Sequence, residues 1–159
     1  MSFEIELNEL YKQIAQQVND IIPIEWTDFY FNGEVKDNEG GVFFFFYPVD
    51  SNEPVYSHDI PDIYPIDESS YDEELDKLFE LTVKLQQVFI DNDQDPWFSV
   101  TLLLNSSGKL NINFDYTDWH NSEFGPSNRI KYFQYKYVSR NKEQFDIELI
   151  ERMKKFEDK

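Results

Sequence analysis

The chain has 159 residues, no cysteine, and 32 acidic against 14 basic side chains, for a net charge of −18. Its length fits a single domain of roughly 100–200 residues, and the missing cysteine removes disulfides, thiolate metal sites and a cysteine nucleophile together. A field of that sign repels phosphate backbones and anionic membranes, so direct binding to nucleic acid or to a membrane is not expected.

Phe3 to Ile22 is predicted as a first helix, because Phe3, Leu7, Leu10, Ile14, Val18 and Ile21 recur at three- and four-residue spacing. Pro23 should stop it. This opening has neither the basic start nor the apolar core of a signal peptide. No apolar run approaches the roughly 20 residues of a membrane helix, and a cytoplasmic protein is expected. Trp26 to Val35 reads as a strand, followed by the turn cluster from Asp37 to Gly41, whose glycines can take positive φ. Val42 to Tyr47 is the return strand. Its four consecutive phenylalanines, Phe43 to Phe46, call for cover on both faces.

Residues 50–68 are dense in breakers, with Pro54, Pro61 and Pro65 among acids, and predict a short strand at Val55–His58 and then an irregular loop. Ser70 and Glu73 have the spacing of a capping box, so a long helix is expected from there to Asp91, with acids in its first turns that suit the helix dipole. Trp97–Leu104 and Leu110–Tyr116 alternate on either side of Asn105-Ser106-Ser107-Gly108, the best hairpin in the chain. Residues 118–137 are aromatic and rich in turn formers, and no element is assigned to them. Asn141 or Lys142 to Phe156 closes the chain as an amphipathic helix with Phe145, Leu149, Met153 and Phe156 on its apolar side. The expected fold is α+β, in the order α-β-β-(β)-α-β-β-α: a mainly antiparallel sheet of about four to five strands with helices packed on it, in one domain over 1–159. Aromatic residues make up 18% of the chain, which excludes an acidic disordered segment.

Catalytic and metal patterns fail one by one. Asp91, Asp93 and Asp95 start like a calcium loop, but Pro96 stands where that loop needs glycine and Leu102 where it needs glutamate. His58 and His120 fit no zinc spacing. Ser57, His58 and Asp59 are adjacent, and on a strand neighbours point opposite ways and cannot converge. Five glycines, two of them adjacent, build no phosphate loop. No cofactor is expected.

Binding patterns are stronger. Charge is uneven: residues 1–125 carry 26 acidic and 5 basic groups, whereas 126–159 carry 6 acidic and 9 basic. The acidic part would steer a basic partner. One candidate surface holds Asp59, Asp62, Asp67, Glu68, Asp72 and Glu73, with Glu74 and Asp76 behind them and Tyr64 and Tyr71 between. The other is Phe114 to Gly125, where Tyr116, Asp118, Trp119 and Glu123 combine aromatic anchors with carboxylates. The competing reading of this run is that Trp119 and Phe124 plug the end of the core.

The same run, Phe114-Asp115-Tyr116, Asp118-Trp119 and Asn121-Ser122-Glu123-Phe124-Gly125, closely resembles a stretch shared by the YezG-like antitoxins, which include the EsaG antitoxins of type VII-secreted nuclease toxins. Tyr11 and Ile14, Ile22-Pro23 with Glu25-Trp26, Asp59-Ile60-Pro61 and Pro96-Trp97 are similar in the same order, so the resemblance covers residues 1 to about 137. It implies an immunity protein that binds the nuclease domain of a cognate LXG or EsaD-type toxin and blocks it inside the producing cell, without catalysis of its own. The acidity would then complement a basic nuclease groove. The alternatives are a small acidic hydrolase and a regulatory adaptor with another partner.

Overall fold

Asp37 and Asn38 have φ of 53° and 64° and join strand β1, Trp26–Lys36, to strand β2, Glu39–Pro48, with Lys36 opposite Glu39. Two consecutive positive-φ residues give the hairpin turn whose twist matches that of the strands. The turn is therefore made by this pair rather than by the glycines that follow. Gly40 instead serves the strand: a Cβ there would lie 1.9 Å from the Glu34 carbonyl oxygen.

The computed structural model describes residues 2–158, which group into two units, one ending at Tyr116 and the other beginning at Thr117. The first contains helix α1 (Phe3–Ile21), β1, β2, strand β3 (Val55–Tyr56), the short helix α2 (Ile60–Ile63), helix α3 (Glu68–Asp91), and strands β4 (Ser99–Asn105) and β5 (Leu110–Asp115). The sheet has five strands in the order β3-β2-β1-β4-β5, and every neighbouring pair is antiparallel. An α+β fold results, in the predicted element order except that neither α2 nor a helix at Pro126–Phe133 was expected.

Period-two alternation puts Phe29, Phe31 and Val35 of β1 on one face, beside Phe46 and Phe44 of β2 and Leu102 of β4. These side chains share a buried core with Leu10, Ile14 and Val18 of α1 and Leu78 and Leu85 of α3. Gly33 leaves room for α3 against β1, since a Cβ there would meet the Thr82 methyl at 2.6 Å. The Gln86 amide, also buried, donates to the carbonyls of Val35 (3.1 Å) and Trp97 (2.6 Å), holding the end of β1 and the lead-in to β4. Phe43, Phe45 and Tyr47 on the opposite face are buried too, so all four phenylalanines of β2 are covered.

Three boundaries differ from expectation. Helix α3 begins at Glu68, and its cap is Asp67, whose carboxylate accepts from the Ser70 N–H at 3.1 Å. Asp67–Ser70 and Ser70–Glu73 have the same spacing, and the earlier pair forms the cap. The strand β3 stops at Tyr56, and a 3₁₀ turn at Ser57–Asp59 leads into α2 where a loop was predicted. Third, the last helix starts at Ile147.

That helix, α5 (Ile147–Glu157), belongs to the second unit with α4 (Pro126–Phe133), which continues into a π-helical turn through Val138. Asp146 caps α5 by accepting from the Leu149 N–H. Its buried residues are Ile150 and Met153, and Phe145 lies before the helix, edge-on to Tyr135 at 5.6 Å. Starting at 147 rather than 141 shifts the apolar stripe onto Ile150.

Candidate functional site

The acids from Asp59 to Glu73 depend on one buried serine for their frame. Ser57 is fully buried; its hydroxyl accepts from the Phe44 N–H at 3.1 Å, and its carbonyl accepts from the Tyr71 hydroxyl. A single residue thus ties the 3₁₀ turn to β2 on one side and to the first turns of α3 on the other. Burial, with the nearby Asp72 charge, holds the Tyr71 phenol protonated far above its ordinary range.

On that frame Asp59, Asp62, Asp67, Glu68, Asp72 and Glu73 are all exposed. Asp59 of the turn and Asp72 of the helix both act on His58, whose ring stacks on Tyr56 at 4.9 Å. Its pKa is pulled down by partial burial, while Asp59 and Asp72 both act to raise it. Asp67 is held below its ordinary value by hydrogen bonds from the Ser69 hydroxyl, the Ser70 N–H and the Ser70 hydroxyl. Ile63 stands 56% exposed beside Asp62. Sequence reading passed over it; an isoleucine between two prolines in an acidic loop, with no stripe to join, was the available signal.

Ser57 and His58 do meet, contrary to the strand argument, because a 3₁₀ turn replaces the strand: Oγ and Nδ1 are 3.2 Å apart. The hydroxyl is nonetheless sealed from solvent and already accepts a backbone N–H, so it cannot reach a substrate carbonyl.

The 116–123 run divides. Tyr116, at the end of the first unit, is 55% exposed and donates its hydroxyl to the Asp95 carbonyl at 3.3 Å. Asp118 is exposed and accepts from the Asn121 amide at 2.8 Å. Glu123, exposed as well, pairs with Arg152 at 2.6 Å. Trp119 is only 4% exposed, and its ring lies 5.2–6.0 Å from those of Phe156, Tyr132 and Phe124. It is a core residue under the loop that presents Asp118 and Glu123. Trp119 and Phe124 are both buried, and they pack on each other and on Phe156 within the second unit rather than at the end of the sheet's core.

Among the described residues no three His, Asp or Glu side chains form a group able to hold a metal ion, and no helix is long and apolar enough to cross a membrane. What the first unit offers is a surface of exposed carboxylates on an α+β frame.

The model of the family described as "Immunity protein YezG-like" matches residues 7–151. The chain belongs to that family. It is 35% identical over 136 residues to "Type VII secretion system protein EsaG" of Staphylococcus aureus, covering 86% of this chain and 83% of that protein. It is 34% identical over 131 residues to "Immunity protein YezG" of Bacillus spizizenii, covering 82% and 81%, and 35% identical over 130 residues to the Bacillus subtilis protein of the same name, covering 82% and 86%.

Proposed function

We propose that this chain is an antitoxin: it binds the nuclease domain of a cognate polymorphic toxin exported by type VII secretion and neutralises it before export. The observation that carries this reading is family membership across residues 7–151 in a chain whose first unit holds 24 acidic and 5 basic residues. A nuclease needs a basic groove for phosphates, and a surface of fixed carboxylates can occupy it in place of the substrate. The Asp59, Asp62, Asp67, Glu68, Asp72 and Glu73 arc steers the encounter; Tyr116, Asp118 and Glu123 make contacts, with Trp119 supporting the last two from beneath. The family match runs across both units, which supports one immunity domain over 1–159. The protein acts in the cytoplasm, where toxin is made, and its role is inhibition rather than turnover.

Co-expression with the C-terminal domain of the nearest encoded type VII toxin tests this. A co-purifying complex that leaves DNA and RNA uncut, while the free toxin domain cleaves one of them, is the expected result. Failure to co-purify at low salt, or a complex that still cleaves, would contradict it.

A further inference from the structure

A second surface lies in the first unit, apart from the acids already described. The chain leaves α1 through Ile22 and Pro23, and β2 ends at Pro48; between these two exits and the Ser106 turn runs an open groove of about 800 Å³. Its apolar wall is Ile24, Trp26 and Val49, of which Ile24 is 36% and Val49 56% exposed.

The walls are fixed. The Trp26 indole donates to the Asn19 side-chain oxygen at 3.0 Å, the Val49 N–H to the Glu25 carbonyl at 3.2 Å, and the Ser106 N–H to the Thr27 carbonyl at 2.8 Å. A preformed groove costs a partner little ordering on binding. Glu25 is the one charged residue that lines it, none of the unit's five basic residues does, and Asp20 and Asp50, both exposed, flank its ends in sequence.

We propose that this groove is a second docking site for the toxin domain, filled by an apolar side chain carried between Lys or Arg residues on a single segment of that partner. This rests on the antitoxin reading and gives it a contact separate from the acidic arc. Charge selects the occupant. A second copy of the chain would bring another excess of acidic groups against Glu25, and an anionic ligand would be repelled in the same way. An apolar centre with a charged rim is also the usual anatomy of an interface hot spot.

The test places a photo-crosslinking amino acid at Val49 or at Ile5. Ile5 is equally exposed, at 52%, but stands roughly 20 Å from Asn19 along α1 at 1.5 Å per residue. Each variant is co-expressed with the same toxin C-terminal domain and irradiated. Crosslinking to that domain from position 49 and not from 5, with affinity at least tenfold lower for Val49→Arg at an unchanged thermal midpoint, is expected. A complex that forms normally yet gives no crosslink from 49 and tolerates Val49→Arg would overturn the groove and leave the antitoxin reading standing. Self-crosslinked dimers from position 49 would overturn the choice of occupant. If the wild-type chain forms no complex, both readings fall together.

Discussion

The two units of the chain differ in how their surface carboxylates are paired, although the first also holds an ion pair, Glu74 with Lys77 at 3.1 Å. In the second, acids are tied to cations: Glu123 with Arg152, Glu157 with Lys136 at 3.0 Å, and Glu151 with Lys154 at 3.9 Å. Lys136 also lies over the Tyr132 ring, and the Glu157 carboxylate accepts from the Tyr132 hydroxyl. In the first unit Asp59, Asp62, Glu68, Asp72 and Glu73 make no ion pair among the described residues, and Asp67 is satisfied by serines alone. Such a surface repels itself, which lowers stability. Unpaired carboxylates are open to a basic partner at once, whereas a paired one such as Glu123 must first exchange Arg152 for the partner's cation.

The comparison can be broken at its strongest point by substituting the core beneath each surface. Trp119→Ala should cost about 3–5 kcal/mol, the usual loss for a buried aromatic, and urea unfolding would show it. If Trp119 were instead a contact, stability would hold while binding fell. Next, replacing Asp62, Glu68, Asp72 and Glu73 together with lysine should slow association with the toxin domain by roughly one to three orders of magnitude at low salt, read by stopped flow. The same charge reversal at Glu123 should do far less. Ser57→Ala removes the acceptor of the Phe44 N–H and strands a buried donor, at about 1–3 kcal/mol; chemical denaturation would detect it.

A subtler difference is in pH. Asp67 has a folded pKa below its ordinary 3.8, so its contribution is complete above that value and is lost as pH falls through the folded pKa. Asp67→Ala should therefore flatten the acid side of a thermal-midpoint profile. Smallest of all, Glu123→Ala should cost no more than ~1 kcal/mol, as expected for an exposed ion pair. A larger loss would mean that the pair organises the second unit.

Most of the first unit was legible in the sequence because its signals are local. Alternation along Phe29 to Val35 and Val100 to Leu104 set the strands, and the three- and four-residue stripes of α1 and α3 set the helices. What failed there was the start of α3: the Ser70–Glu73 spacing reads as a cap, but Asp67 accepts from the Ser70 N–H and starts the helix two residues before Ser70. Ser57 was unreadable for a related reason, since its partners Phe44 and Tyr71 lie 13 and 14 residues away. In the second unit nearly everything is non-local. Trp119 packs on Phe156, and Tyr132 binds Glu157, so an aromatic run that looked like an exposed anchor proved to be partly core. The groove at Ile24 and Val49 joins three separate stretches of chain, which no window of sequence displays.

The contrast between free and paired acids is tested most directly by the association rate of the wild-type chain with its toxin domain, measured across a series of salt concentrations. A rate that falls steeply as salt screens the first unit's charge, and that loses this dependence in the four-lysine variant, is predicted. A rate indifferent to salt in both proteins would contradict it.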